Sequence, residues 1–228
     1  MYSLITSANF VPMETRFHND ISIPVNGIRL RGELCVPIKA SSIVVFSHGS
    51  GSSRMSPRNR QVALYLQKRN FGTLLFDLLT PEEDHNYHNR FAIDLLHERL
   101  VQATIWLQNF PVARDTAIGF FGASTGAASA LKAVIDLPYI YALVSRGGRP
   151  DLAMHDLPMV NVPTLLIVGS EDEQVVQYNR MAYQVLNCEK KLEIVDGATH
   201  LFEEPGKMEI VSELAADWFN QHVPKASA

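Results

Sequence analysis

Residues 119–130 read GFFGASTGAASA, a stretch in which one serine separates an apolar, strand-like run from a run of small residues. Gly122, Ser124 and Gly126 satisfy the pattern G-x-S-x-G, in which the serine occupies a strained turn from a strand into a helix. Residues two positions to either side of such a serine approach each other and tolerate almost no side chain. Ser124 is therefore a candidate nucleophile. The alternative is a glycine-rich turn that only packs a helix closely against a sheet.

The apolar runs on either side of this turn predict the rest of the fold. ISIPVNGIRLRGELCVP (residues 21–37) alternates around Asn26-Gly27 and predicts an antiparallel hairpin at the start. Short, continuous apolar runs then predict strands buried on both faces, at 42–49, 72–79, 116–122, 141–147, 163–170 and 191–197. Helical periodicity follows between them, at 57–69, 90–109, 125–137, 174–187 and 206–222. This alternation indicates an α/β fold, a mostly parallel sheet with helices on both faces.

Composition and charge exclude several classes of function. The net charge is −4 with interspersed signs, so the chain has no basic stripe and we expect no nucleic-acid partner. No apolar run is long enough for a membrane span, and the N-terminus lacks the features of a secretory signal. Cys35 and Cys188 match no metal or redox spacing. We expect a single domain over residues 1–228, without a separate cap domain, in a soluble cytoplasmic protein that holds no metal.

Two residues downstream could complete a catalytic group with Ser124. A serine nucleophile needs a base to take its proton and an acid to orient that base, and both residues follow the serine here. Asp172 comes directly after the strand run 163–170, and His200 comes directly after the run 191–197. Alternative acids are Glu171, Glu173 and Asp151. The alternative bases are the other seven histidines: His18, His48, His85, His88, His97, His155 and His222.

An oxyanion hole is predicted from two backbone amides. One belongs to Thr125, the residue after the candidate nucleophile, and the other should come from the loop after the strand 42–49. That loop, SHGSGSSR (residues 47–54), places Ser50 where the chain leaves the strand. Its glycines allow the backbone to turn and aim an amide at the site. The alternative is a flexible loop of serine and glycine.

Six ordered motifs together resemble the dienelactone hydrolase-like branch of the α/β-hydrolase superfamily: FSHGSGSSR, FDLLTPEE, GFFGASTGAA, VSRGGRPDL, LLIVGSED and GATHLFEEPG. The resemblance runs from about residue 20 to residue 222. It implies an eight-stranded, mostly parallel sheet and the hydrolysis of esters or lactones without a metal or organic cofactor. It also implies the catalytic residues Ser124, Asp172 and His200, with Ser50 and Thr125 as amide donors. The founding members use a cysteine nucleophile where this chain has Ser124, and some relatives are fused to a phosphoribosyltransferase domain.

The sequence therefore predicts a serine hydrolase that cleaves carboxylic esters or lactones of small molecules, alone or as a homodimer. Within the same fold, the alternatives are a peptidase and an acyl-transferase. A rival of another class is a non-catalytic binding protein on the hydrolase scaffold, although such proteins typically lack a member of the triad.

Four arginines are candidates for binding an acidic substrate. Arg54 and Arg58 follow the oxyanion loop, and Arg146 and Arg149 lie in SRGGRPD after the strand run 141–147. A guanidinium group can bind a carboxylate or phosphate through two hydrogen bonds, which would form an anion clamp. In the alternative, these arginines pair internally with the acidic residues of neighbouring loops: Asp77, Glu82, Glu83 or Asp151.

Overall fold

The protein begins with an antiparallel hairpin in the computed structural model, which describes residues 14–224. Strand β1 (Thr15–Val25) pairs with β2 (Ile28–Pro37) across a two-residue turn. Asn26 and Gly27 occupy that turn with φ angles of 44° and 84°. Tight hairpin turns need two residues in this left-handed region, and Asn-Gly adopts it readily. The predicted hairpin is confirmed.

Eight strands form one sheet in the order β1-β2-β4-β3-β5-β6-β7-β8. The remaining strands are β3 (Ser42–Ser47), β4 (Gly72–Phe76), β5 (Ala117–Ala123), β6 (Leu143–Arg146), β7 (Thr164–Gly169) and β8 (Lys190–Val195). Strands β3 to β8 run parallel to one another, whereas β2 pairs antiparallel with β4. Every residue of β3 and β7 is buried, because the sheet is covered on both faces.

Helices cover the two faces of this sheet. They are α1 (Pro57–Lys68), α2 (Pro81–Asp84), α3 (Ile93–Asn109), α4 (Thr125–Asp136), α5 (Glu173–Val185) and α6 (Lys207–His222). Short 3-10 helices lie at Tyr87–Phe91, Pro150–Ala153 and Leu157–Met159. Apolar residues of α1 and α6 share one hydrophobic core, and those of α3, α4 and α5 share a second core on the opposite face. The predicted fold class, an α/β-hydrolase fold with helices on both faces, is confirmed.

The strand order places one crevice at the carboxyl edge of the sheet. From β3 the chain crosses to β4 on one side, and it then returns to β5 on the other side of β3. Open α/β sheets bind their ligands at such a switch point, where the loops diverge. The loops after β3 and β5 carry Ser50 and Ser124, and those after β7 and β8 carry Asp172 and His200. Within residues 14–224, no helix combines the length and apolar character that crossing a membrane requires.

Candidate active site

Ser124 lies at the sharp turn between β5 and α4, with φ = 52° and ψ = −123°. The flanking glycines are sterically required. A Cβ atom on Gly122 would lie 2.5 Å from the Cα of Ala127, and one on Gly126 would lie 2.2 Å from the carbonyl oxygen of Ser47. Both distances are far shorter than any real Cβ contact. The turn therefore exists only because these two residues are glycine, as the sequence pattern predicts.

A hydrogen-bonded chain joins the three predicted side chains. The Nε2 atom of His200 lies 3.2 Å from Oγ of Ser124, and its Nδ1 atom lies 2.6 Å from Oδ2 of Asp172. With the proton on Nδ1, the ring donates to Asp172 and accepts from the Ser124 hydroxyl. Residues from three separate loops, distant in sequence, are thus brought together. Asp172 is the residue directly before α5, which places its carboxylate at the edge of the sheet.

The alternative acids and bases have other contacts. Asp151 receives two hydrogen bonds from Arg149, and Glu171 accepts one from the Ser170 hydroxyl. Four of the other histidines contact groups away from Ser124: His18, His48, His97 and His222. His85, His88 and His155 are exposed. Of the described histidines, His200 is the one hydrogen-bonded to Ser124.

The two predicted oxyanion amides lie in facing loops. Thr125 is the first residue of α4, so its N–H has no acceptor within the helix and remains available to a ligand. The amide of Ser50 donates to the Thr125 side-chain oxygen at 2.8 Å. That bond links the loop after β3 to the start of α4. One of the two predicted donors therefore has an acceptor within the protein.

His48 holds the loop after β3 from its other side. Its Nδ1 atom lies 3.0 Å from the carbonyl oxygen of Gly49, and its Nε2 atom accepts a hydrogen bond of 3.0 Å from the amide of Leu78. The first contact requires a proton on Nδ1 and the second requires none on Nε2, so the ring is neutral. Burial lowers the pKa of His48, and the smaller effects of Gly49, Asp77 and Asp84 oppose that shift.

The chain was compared with protein families and with curated sequences. No family model matches it. Two proteins, from two strains of Mycobacterium tuberculosis and both provisionally named phosphoribosyl transferase, are 51% identical over 205 residues. These matches cover 90% of this chain but only 46% of each relative, so the chain spans about half the length of the curated relatives.

A solved structure gives the more informative match. The dienelactone hydrolase from Anabaena variabilis is 47% identical, has a TM-score of 0.90, and covers 92% of this chain and 100% of its own. The chain belongs to the dienelactone hydrolase-like α/β-hydrolases. Est1E from Butyrivibrio proteoclasticus is more distant, at 16% identity and a TM-score of 0.75 over 89% of this chain and 98% of its own. That likeness shows the fold alone.

In this dienelactone hydrolase-like protein, a cleft of about 220 Å³ opens beside Ser124 and His200. Arg58 and Arg146 line the cleft, together with Ser52, Ser56 and Asn59. Arg58 pairs with Glu203 at 2.8 Å. The other two candidate arginines, which do not line the cleft, also pair with carboxylates. Arg54 donates to both carboxylate oxygens of Asp77, once through its backbone amide and once through its side chain. Arg149 makes a two-pronged ion pair with Asp151. For these two, the contacts are those of the internal-pairing alternative.

Arg146 is buried without a counterion. The residue is 4% exposed, and within residues 14–224 no carboxylate lies within ion-pair distance of it. Its Nη2 atom donates to the Asn59 side chain at 3.3 Å, and its guanidinium carbon lies 5.9 Å from the centre of the Phe202 ring. Burial, and then the positive charge of Arg58, lowers the pKa of Arg146 to about 10, which leaves the group charged at neutral pH.

Two contacts of Arg146 were not expected from the sequence. Asn59 is buried on the first turn of α1, where helical periodicity alone marks it as one more helix residue. Phe202 is buried beside Arg146 and has φ = 57°. No sequence pattern around Phe202 predicts this left-handed conformation. Within the described residues, no group of His, Cys, Asp or Glu side chains is arranged to hold a metal ion.

Proposed function

We propose that the protein is a serine hydrolase that cleaves carboxylic esters or lactones of small molecules through an acyl-enzyme intermediate. One observation carries this proposal: the continuous chain from Asp172 through His200 to Ser124, with distances of 2.6 Å and 3.2 Å. Nucleophile, base and orienting acid within hydrogen-bond reach are the arrangement that acyl transfer requires. Membership of a hydrolase family supports the same reaction class.

In the first half-reaction, His200 takes the proton of the Ser124 hydroxyl while the oxygen attacks the substrate carbonyl carbon. The carbonyl oxygen becomes an oxyanion, and the Thr125 amide stabilises it at the positive end of α4. Asp172 holds the imidazole in the required tautomer and stabilises the imidazolium that forms. His200 then gives its proton to the departing alkoxide, which leaves as an alcohol or, from a lactone, remains attached as a hydroxyl group.

In the second half-reaction, water loses a proton to His200 and attacks the acyl-enzyme, and the Ser124 oxygen leaves with that proton. The Ser50 amide supports the oxyanion in both halves. This amide donates to the Thr125 side-chain oxygen. To stabilise the oxyanion, it must turn toward the substrate or donate to both oxygens at once. The bond to Thr125 satisfies this partly buried donor and holds the amide beside the site.

The names of the relatives bear on this proposal in different ways. The Anabaena protein is named a dienelactone hydrolase, which supports ester or lactone cleavage here. The Mycobacterium proteins are named phosphoribosyl transferases, but this chain matches 46% of their length. We do not propose transferase activity toward phosphoribosyl groups for this chain, because its Ser-His-Asp arrangement is suited to acyl transfer. A peptidase, an acyl-transferase and a silent binding protein remain the rivals that the experiment must separate.

The test is a panel of esters, lactones and peptides assayed with purified protein. We expect ester or lactone hydrolysis and no peptide cleavage. Ser124→Ala or His200→Ala should remove activity, since loss of one member of such a unit lowers turnover by roughly 10⁶. Asp172→Asn should cost less, roughly 10⁴, because it leaves the geometry but changes the tautomer. The exposed His155→Gln serves as the control and should keep full activity.

Three results would contradict the proposal. Ser124→Ala protein that still hydrolyses the esters would show that another group performs the chemistry. Wild-type protein that binds the esters without cleaving them would favour the non-catalytic binding protein. Faster transfer of the acyl group to an added alcohol than to water would instead favour the acyl-transferase.

A further inference from the structure

The cleft beside Ser124 contains one buried positive charge, that of Arg146, with which no carboxylate of the described residues pairs. Arg146 lies at the end of β6 with its guanidinium group buried, and its Nε atom has no hydrogen-bond partner within the described chain. We propose that Arg146 and Arg58 form a subsite that binds a phosphate group carried by the substrate. This proposal rests on the proposed function, since it names the class of ester or lactone that the same cleft accepts.

A purely structural role would leave the burial of Arg146 unexplained. A buried charge is unfavourable unless it is paired and hydrogen-bonded, because it gives up its hydration. The Asn59 side-chain oxygen and the Phe202 ring are neutral groups, so they orient the guanidinium without cancelling its charge. Among the cleft-lining residues, which the structure describes, there is no Asp or Glu. The missing partner is therefore an anion supplied from solution.

Arg58 adds a second guanidinium to the same cleft. Its Nη1 atom pairs with Glu203, whose side chain is 62% exposed, while its Nε atom is buried without a partner. The pair with Glu203 is a surface contact of little energy that a ligand can replace. Two like charges are thus held close enough that Arg58 lowers the pKa of Arg146. The two guanidinium groups repel each other, and an anion bound between them would offset that repulsion.

The number of donors favours phosphate over carboxylate. A carboxylate has two oxygens in one plane, and the edge of a single guanidinium group satisfies them. This cleft offers two separate guanidinium groups and the hydroxyls of Ser52 and Ser56. A tetrahedral phosphate has oxygens in several directions and a charge of about −1.5 to −2 at pH 7, which matches two cations. Ser124 and His200 line the same cleft, so a small linker joins the phosphate to the scissile carbonyl.

Three 4-nitrophenyl esters with acyl chains of equal length test the subsite: one ends in methyl, one in carboxylate and one in phosphate. We expect the phosphate ester to have the highest kcat/KM in wild type. Arg146→Met, which keeps the volume but removes the charge, should lower kcat/KM for the phosphate ester 10- to 100-fold more than for the methyl ester, the usual worth of a charged hydrogen bond. Arg58→Met should act in the same direction. Arg69→Met serves as the control, because Arg69 pairs with Asp217 and Tyr65 away from the cleft.

Binding without catalysis separates this proposal from the proposed function. Phenyl phosphate is titrated into folded Ser124→Ala protein by calorimetry, with and without Arg146→Met. Binding that disappears with Arg146→Met supports the subsite even if no ester is hydrolysed, in which case only the proposed function fails. The subsite is overturned if phenyl phosphate does not bind, if Arg146→Met weakens all three esters equally, or if the carboxylate ester is preferred over the phosphate ester.

Discussion

Ser124 illustrates how a single residue stores strain where the chemistry takes place. Its backbone angles lie in a region that glycine adopts without strain and that residues with a side chain rarely adopt. The conformation is maintained because the chain on both sides is held: its amide donates to the Arg146 carbonyl, and its own carbonyl accepts from the amides of Ala127 and Arg149. This strain exposes the hydroxyl above the end of the sheet.

The strain predicts an unusual ranking of two inactive variants. Ser124→Gly should be more stable than Ser124→Ala by about 1 kcal/mol, since relief of a positive φ outweighs the entropy that glycine loses on folding. Urea unfolding of both variants measures the difference. For comparison, Ser129→Gly and Ser129→Ala inside α4 should rank in the opposite order, as helix propensity requires. Equal stability of the two Ser124 variants would indicate an unstrained turn.

Single residues also show how much of the site can be predicted from sequence. Ser124, Asp172 and His200 could be selected because each directly follows an apolar strand run, and parallel strands bring such positions to one edge. The contacts of the arginines could not be predicted in this way. Arg146 meets Asn59, 87 positions away in the chain, and Arg58 meets Glu203, 145 positions away. Periodicity contains no information on which of several nearby carboxylates a long side chain reaches.

At the scale of elements, the loop after β3 is fixed by the neutral imidazole of His48. Its Nε2 atom accepts from the Leu78 amide in the loop after β4, so two catalytic-edge loops depend on one unprotonated nitrogen. Burial lowers the pKa of His48 in the folded protein, and the unfolded chain therefore binds a proton that the folded chain does not. By linkage, the contribution of this residue to stability is complete above the unfolded pKa and declines as the pH falls below it.

This linkage predicts a pH-dependent difference between wild type and His48→Gln. The glutamine oxygen can accept from Leu78 but does not titrate. Between pH 7.5 and pH 5.5, wild type should lose more unfolding free energy than the variant, because the unfolded histidine takes up a proton near about pH 6.5 whereas burial lowers the pKa of His48 in the folded protein. Urea unfolding at both pH values measures it, with the exposed His155→Gln as the matched control. An identical pH dependence in wild type and His48→Gln would show that His48 does not control this acid destabilisation.

The regular elements were predictable, but the segment between β4 and α3 was not. Continuous apolar runs and helical periodicity locate every parallel strand and the longer helices, with ends that shift by a few residues. Residues 77–92 instead form the short helix α2 and a 3-10 helix. Thr80 and Glu83 cap the N-terminus of α2 through a reciprocal capping box, and Glu83 also pairs with Arg99 of α3. Such short helices depend on tertiary contacts more than on any local pattern.

At the scale of the whole molecule, the alternation of strands and helices predicts a parallel sheet but not the order of its strands. The eight-stranded sheet followed from the resemblance, and the structure gives the order in which β3 lies between β4 and β5. That order creates the crevice at which the loops that carry Ser50, Ser124, Asp172 and His200 meet. A single domain over residues 1–228 without a cap, a homodimer and a cytoplasmic location stay predictions.

In the proposed hydrolase, reactivity is confined to one serine, Ser124. Among the contacts that the structure describes, Ser124 is the serine whose hydroxyl is hydrogen-bonded to a histidine that is itself hydrogen-bonded to a carboxylate. A fluorophosphonate probe reacts covalently with an activated serine and leaves unactivated hydroxyls unchanged. Mass spectrometry of the whole protein counts the adducts, and peptide mapping locates them.

Wild type should acquire one adduct per chain, located on Ser124. His200→Ala should react far more slowly, because its hydroxyl has no base, and Ser124→Ala should acquire none. An esterase of known reactivity in the same tube confirms that the probe is active. An unlabelled wild-type protein beside a labelled control esterase, or an adduct that maps to any residue other than Ser124, would contradict the account.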